Sequence, residues 1–174
     1  MRVLKDDTLI EVWNNHGWGV SYVTDKVVRT WQTSGMVKKV PFGELYEAAS
    51  FKGNRVLFAE GALLIKDNEV RERLDLPPLD EYTLDLEGMK TLLESGDKNK
   101  IEDFLQYCSN MALDALVQVA INIPISDVKL AQLISKYAKV DVLSAIQEKM
   151  ETQPTQTNQE VSEGKPRPKR IIKE

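Results

Sequence analysis

The hydrophobic period of this chain changes at Pro41, and that change confines it to folds that keep strands and helices apart. Before Pro41 the pattern is β. Residues 8–13 are β-branched and aromatic, and they run into a turn cluster of Asn14, Asn15, His16 and Gly17. Trp18, Val20 and Tyr22 then alternate with polar residues, the period of a strand over residues 18–23. Thr24 and Asp25 turn the chain, and residues 27–32 read as a third strand. Thr33, Ser34 and Gly35 turn it again before a fourth strand at 36–40. Short strands at regular spacing predict a small meander, curled into a barrel or half-barrel.

Pro41 suits the first turn of a helix, where its missing N–H would be unpaired in any case. Leu45, Ala48 and Ala49 continue the helical spacing, and this helix is expected to stop at Lys52, Gly53 and Asn54. Residues 56–58 and 62–65 read as two more strands around Gly61. Asp67 caps a short helix carrying Val70 and Leu74, which Leu76, Pro77, Pro78 and Leu79 bring to an end.

From there on the pattern is helical. Thr83 or Asp85 caps a helix with Leu86, Met89, Leu92 and Leu93 on one face, closed by Gly96. Asp97 caps the next, with Ile101, Phe104, Leu105 and Cys108 inward. Residues 111–121 are apolar nearly all round, the mark of a central buried helix broken by Pro124. Ser126 and Asp141 are the expected caps of the last two. The fold class is therefore α+β. A small β-rich domain with short helices (1–76) is followed by a linker (77–84), a five-helix bundle (85–150) and a tail (151–174). Leu92, Phe104, Leu105, Leu116, Ile134 and Ile146 are the predicted helical core. The tail is polar and should be disordered on its own.

Composition narrows the chemistry. The one Cys permits no intrachain disulfide and makes a reducing compartment the default. With one His beside it, the usual zinc sites are out of reach. The longest uncharged stretch, residues 115–126, is too short and too polar to span a bilayer, so no membrane partner is expected, and no secretory signal precedes Asp6 and Asp7. His16 reads as an exposed turn residue and Cys108 as a small core residue. The only G-x-G, Gly17-Trp18-Gly19, enters a strand, so there is no phosphate loop. With no convergent nucleophile, base or metal set, the expectation is a non-enzyme without cofactor.

Two surfaces remain as candidates. Trp18, Tyr22 and Trp31 lie among Arg29, Lys38 and Lys39, and aromatic rings with cations form platforms for single-stranded nucleic acid. The competing reading packs the tryptophans into the core. Against the platform stands a net charge of −7 over residues 60–150, which repels phosphate. The second candidate is the tail, where Lys165, Arg167, Lys169 and Arg170 precede Ile171 and Ile172, with Pro166 and Pro168 keeping the segment extended. It reads as a nucleic-acid-tracking arm, as a short motif docking its isoleucines on a protein partner, or as a solubilising end.

Several strings of residues together resemble a family of small proteins of tailed bacteriophages. They are Val12-Trp13-Asn14-Asn15, Gly19-Val20-Ser21-Tyr22 and Arg29-Thr30-Trp31. They continue with Lys38-Lys39-Val40-Pro41-Phe42-Gly43-Glu44-Leu45, Val56-Leu57-Phe58 and Ile65-Lys66-Asp67-Asn68-Glu69. In the helical half the likeness is carried by Asp103-Phe104-Leu105 and residues 117–129, ahead of a polar tail with a basic end. The resemblance spans residues 10–150, and the basic tail here is shorter than that family's. It implies a phage origin, a place in the virion or the host cytoplasm, and a structural or accessory role with other virion or phage-encoded subunits as partners. A host-takeover role is its other implication. It carries over no catalytic or ligand-binding residue.

Overall fold

The computed structural model describes residues 3–123, Ile125 and residues 127–152. Pro124, Ser126 and the tail residues Lys165, Arg167, Lys169, Arg170, Ile171 and Ile172 lie outside them. The fold is α+β, with strands first and helices after. The order is β1 (Leu9–Asn14), β2 (Val20–Val23), β3 (Val28–Trp31), β4 (Val37–Pro41), α1 (Phe42–Ser50), α2 (Lys52–Ala59), β5 (Leu63–Leu64) and α3 (Asn68–Arg73). Five helices follow: α4 (Leu86–Ser95), α5 (Lys98–Tyr107), α6 (Asn110–Asn122), α7 (Val128–Ala138) and α8 (Val142–Thr152).

The strands do not form a meander. β1 pairs antiparallel with β4, Ile10 opposite Val40, and with β5, Trp13 opposite Leu64, while β2 and β3 form a separate hairpin. The reason is Asn14. Its side-chain amide donates to the carbonyls of Trp18 and Thr33, both at 2.8 Å, and so gathers the two ends of the hairpin at the end of β1. Gly35, at φ 74°, then donates to the Asn14 carbonyl and starts β4 back along β1.

Residues 56–58 are helical, not a strand, and the chain does not stop at Gly53. α1 ends at Ser50, Phe51 is extended, and α2 runs through Gly53 to bury Phe58. Asn54 explains the preference. Its side chain bonds both the N–H and the C=O of Val23, which ties the new helix to the hairpin. The β-rich part thus carries three helices.

The helical half follows its caps. Asp67, Asp85 and Asp97 each accept from backbone N–H groups of their helix, and Gly96 at φ 64° closes α4. Ser109 caps α6, and Asp127, one residue beyond Ser126, caps α7. Buried side chains fall into two clusters. One runs from Ile10 to Leu76, the other from Met89 to Ile146 with Phe104, Leu105, Leu116 and Ile134 inside it. Leu92 is only partly buried, because Met89 and Leu93 point more directly inward.

Side chains cross between the clusters. Asn15 donates to the Leu84 carbonyl at 2.9 Å, and Ser109 donates to the Glu60 carbonyl at 2.8 Å. Lys66 reaches Asp85 at 2.5 Å, on the cap of α4. The connecting segment is held as well. Arg71, almost wholly buried, donates to the carbonyls of Pro77 and Phe58 at 2.7 and 3.3 Å.

Candidate functional site

The aromatic and basic residues of β1–β4 do not share one face. Trp31 is fully buried, and its indole N–H donates to the Val12 carbonyl at 3.0 Å. Tyr22 is fully buried between Trp31 and Phe58, with ring centroids 5.6 and 5.8 Å away. Neither ring can receive a base. Their position follows from alternation: Val20 and Tyr22 face inward on β2 while Ser21 and Val23 face solvent.

Arg29 is also engaged inside the protein. Its guanidinium grips Glu44 of α1 through two hydrogen bonds of 2.6 Å, and the Tyr22 hydroxyl donates to the same carboxylate. This bidentate contact holds the Glu44 carboxyl below its usual range. Burial, with Glu44 adding to it, pushes the Tyr22 phenol up. The trio ties the hairpin to α1, and its charges are satisfied there.

Lys38 and Lys39 are consecutive on β4 and so point to opposite faces. Lys38 lies 5.9 Å from the centre of the Trp31 ring, while Lys39 faces Glu11 on the outer face at 3.9 Å. Trp18 is the one predicted ring that remains open, at 54% exposure. It stands edge-on to His16, centroids 4.4 Å apart.

His16 itself is not an exposed turn residue. It is only 6% exposed, because its loop packs against α6, where a Cβ on neighbouring Gly17 would overlap the side chain of Gln118. Its Nδ1 is buried without a hydrogen-bond partner. Burial lowers its pKa below 6.5, and the charge of Asp114 on α6 opposes part of that shift. Cys108 is half-buried at the end of α5, and burial pushes its thiol up to about 11, where it is a poor nucleophile. Among the described residues no group of three or more His, Cys, Asp and Glu is placed to hold a metal ion. Among the same residues no helix is long and apolar enough to cross a membrane.

No known family model matches this chain. No curated protein and no solved structure matches it either. The site therefore has to be read from its own geometry.

What the surface does offer is apolar. Val23 and Val28 are direct partners across the hairpin and are 55% and 68% exposed. Leu9 and Val37 stand open on the outer face of the β4-β1-β5 sheet, and Trp18 borders a shallow cavity of about 270 Å³ with Leu57, Ala62 and Met111. Sequence reasoning missed these exposed residues. Leu9 and Val37 carry no chemical signature, and their exposure depends on what fails to cover the sheet.

Proposed function

We propose that this chain is a non-catalytic protein-binding component, phage-encoded and virion-associated, in which the C-terminal tail is a docking segment. The observation that carries the reading is the placement of the apolar and charged groups on the β-rich part. Tyr22, Trp31 and Arg29, which a nucleic-acid platform would need at the surface, are spent on internal packing and on Glu44. Paired aliphatic side chains such as Val23 and Val28 are left in solvent instead. This exposed apolar pair is the contact we assign to another protein.

The tail complements such a surface. Burying Ile171 and Ile172 contributes about 3–6 kcal/mol gross, before ordering costs. That makes a weak anchor, and repetition in a symmetric assembly multiplies weak anchors through avidity. Basic neighbours at 169, 170 and 173 steer it toward acidic surfaces.

The test compares the full chain with a chain ending at Thr152 for retention on purified virions. The shorter chain is expected to keep its helix content by circular dichroism and to be retained less. Undiminished retention would remove the tail from the interface.

A further inference from the structure

The cavity beside Trp18 lies where the loop after β1 meets α6. His16, Trp18, Val20, Leu57, Ala62 and Met111 wall a volume of about 270 Å³. About 150 Å³ is enough to hold a benzene ring. No Asp, Glu, Lys or Arg among the described residues lines it, so it offers no partner to the charge of an ionised ligand. Val20 and Ala62 are buried, and Met111 brings an unbranched side chain that adapts to the shape it meets. Such walls suit a neutral, apolar ring.

His16 adds one polar demand. Its side chain is almost wholly buried, and Nδ1 is the one buried side-chain nitrogen or oxygen without a partner among the described residues. A buried N–H without an acceptor is the rarer state, so in the neutral ring Nδ1 carries the lone pair and lacks a donor. Trp18 stands edge-on against the imidazole and is the most exposed of the large side chains around the cavity. A change of its rotamer is the motion that uncovers the imidazole toward the cavity.

We propose that this cavity binds a phenol group, a neutral aromatic ring whose hydroxyl donates to the His16 imidazole. The two parts of the ligand answer two separate deficits. A ring without the hydroxyl leaves Nδ1 unpaired, and a hydroxyl without the ring leaves the Leu57 and Met111 walls facing water. The bound ring touches both halves of the molecule, because His16, Trp18 and Leu57 belong to the β-rich part and Met111 to α6. The chemistry is shared by a free phenol and by a tyrosine side chain of another protein, and the experiment separates them. The site uses neither the tail nor Val23 and Val28, so it stands or falls apart from the docking function.

The experiment titrates phenol and benzene into the full chain and follows the Ala62 and Met111 methyl groups and the Trp18 indole N–H by NMR. Phenol is the better hydrated of the two, so a preference for it requires a protein acceptor. Phenol should saturate with a Kd on the order of millimolar and bind about tenfold tighter than benzene, the effect of one hydrogen bond. Met150, exposed on α8, is the reference and should not shift. Equal affinities or a preference for benzene overturn the proposal, as does the absence of saturable shifts at Met111 and Trp18. In His16→Leu the preference should vanish while benzene still binds, and a preference that survives overturns the role of His16. The comparison in the native chain needs no variant, so it decides the question even if His16→Leu fails to fold. N-acetyl-tyrosinamide is titrated alongside. Binding tighter than phenol assigns the site to a tyrosine of another protein, weaker binding assigns it to a free phenol, and the phenol site stands in either case.

Discussion

Asn14 and His16 are two residues apart in one loop and are buried on opposite terms. The Asn14 amide donates to two carbonyls, and its side-chain oxygen accepts the His16 backbone N–H at 3.0 Å, so its burial is fully compensated. His16 Nδ1 has no such compensation. Burial makes the folded imidazole resist protonation, whereas in the unfolded chain it takes a proton at its ordinary value of 6.5. The sign follows. Above about pH 6.5 both states are neutral and His16 makes no pH-dependent contribution; below it the unfolded state gains the proton first, so stability falls with falling pH. Asp114 moderates the effect without reversing it. Because the chain has one histidine, the upper part of the fall, just below about pH 6.5, is led by His16, and the depressed Glu44 carboxyl adds to the loss at lower pH. Denaturant unfolding should therefore show lower stability at pH 5 than at pH 7, and His16→Gln should flatten that difference. An equal slope in both proteins would mean that His16 takes its proton in the folded state as readily as in the unfolded one.

α2 shows what a helix gains from context that its own sequence lacks. It has no side-chain cap and holds a glycine in its first turn, yet Asn54 clamps Val23 and Phe58 fills the first core. Nothing lies within 4 Å of where a Cβ on Gly53 would sit. Gly53→Ala should then stabilise the protein by about 0.5–1 kcal/mol, by restricting the unfolded chain and favouring the helix. A thermal melt showing no gain, or a loss, would reveal a backbone requirement at this position. The same element explains where sequence reasoning worked. Asp67, Asp85, Asp97 and Gly96 act within one turn of themselves, so their roles are written locally. Three apolar residues at 56–58 are too few to separate a period of 2 from one of 3.6, and the residue that decides, Asn54, acts on Val23 across 31 positions. The candidate surface failed in the same way. Rings and cations were legible as types, but whether Tyr22 and Trp31 face inward depends on Phe58 and Val12.

The two hydrophobic clusters give the molecule two centres of stability, and the residues between them decide whether it unfolds in one step. That seam combines the Asn15, Ser109 and Lys66 contacts with one place where backbone meets side chain closely, Gly17 against Gln118 of α6. The glycine there has no need of unusual backbone freedom. It is required because any side chain would occupy the volume of Gln118. Gly17→Ala must push the loop and α6 apart or force Gln118 into another rotamer, a strain costing typically about 1–3 kcal/mol. The strain falls on the seam and leaves both cores intact, so its signature is a loss of coupling. All three tryptophans lie at or before position 31, in the β-rich part, so their fluorescence reports the first core, whereas far-UV circular dichroism is dominated by α4–α8. In the native chain the two signals should trace one transition against denaturant. In Gly17→Ala they should separate, with at least one midpoint lowered. Coincident curves in the variant, at an unchanged midpoint, would show that Gln118 yields without cost and that the Asn15, Ser109 and Lys66 contacts couple the halves without the close approach at Gly17.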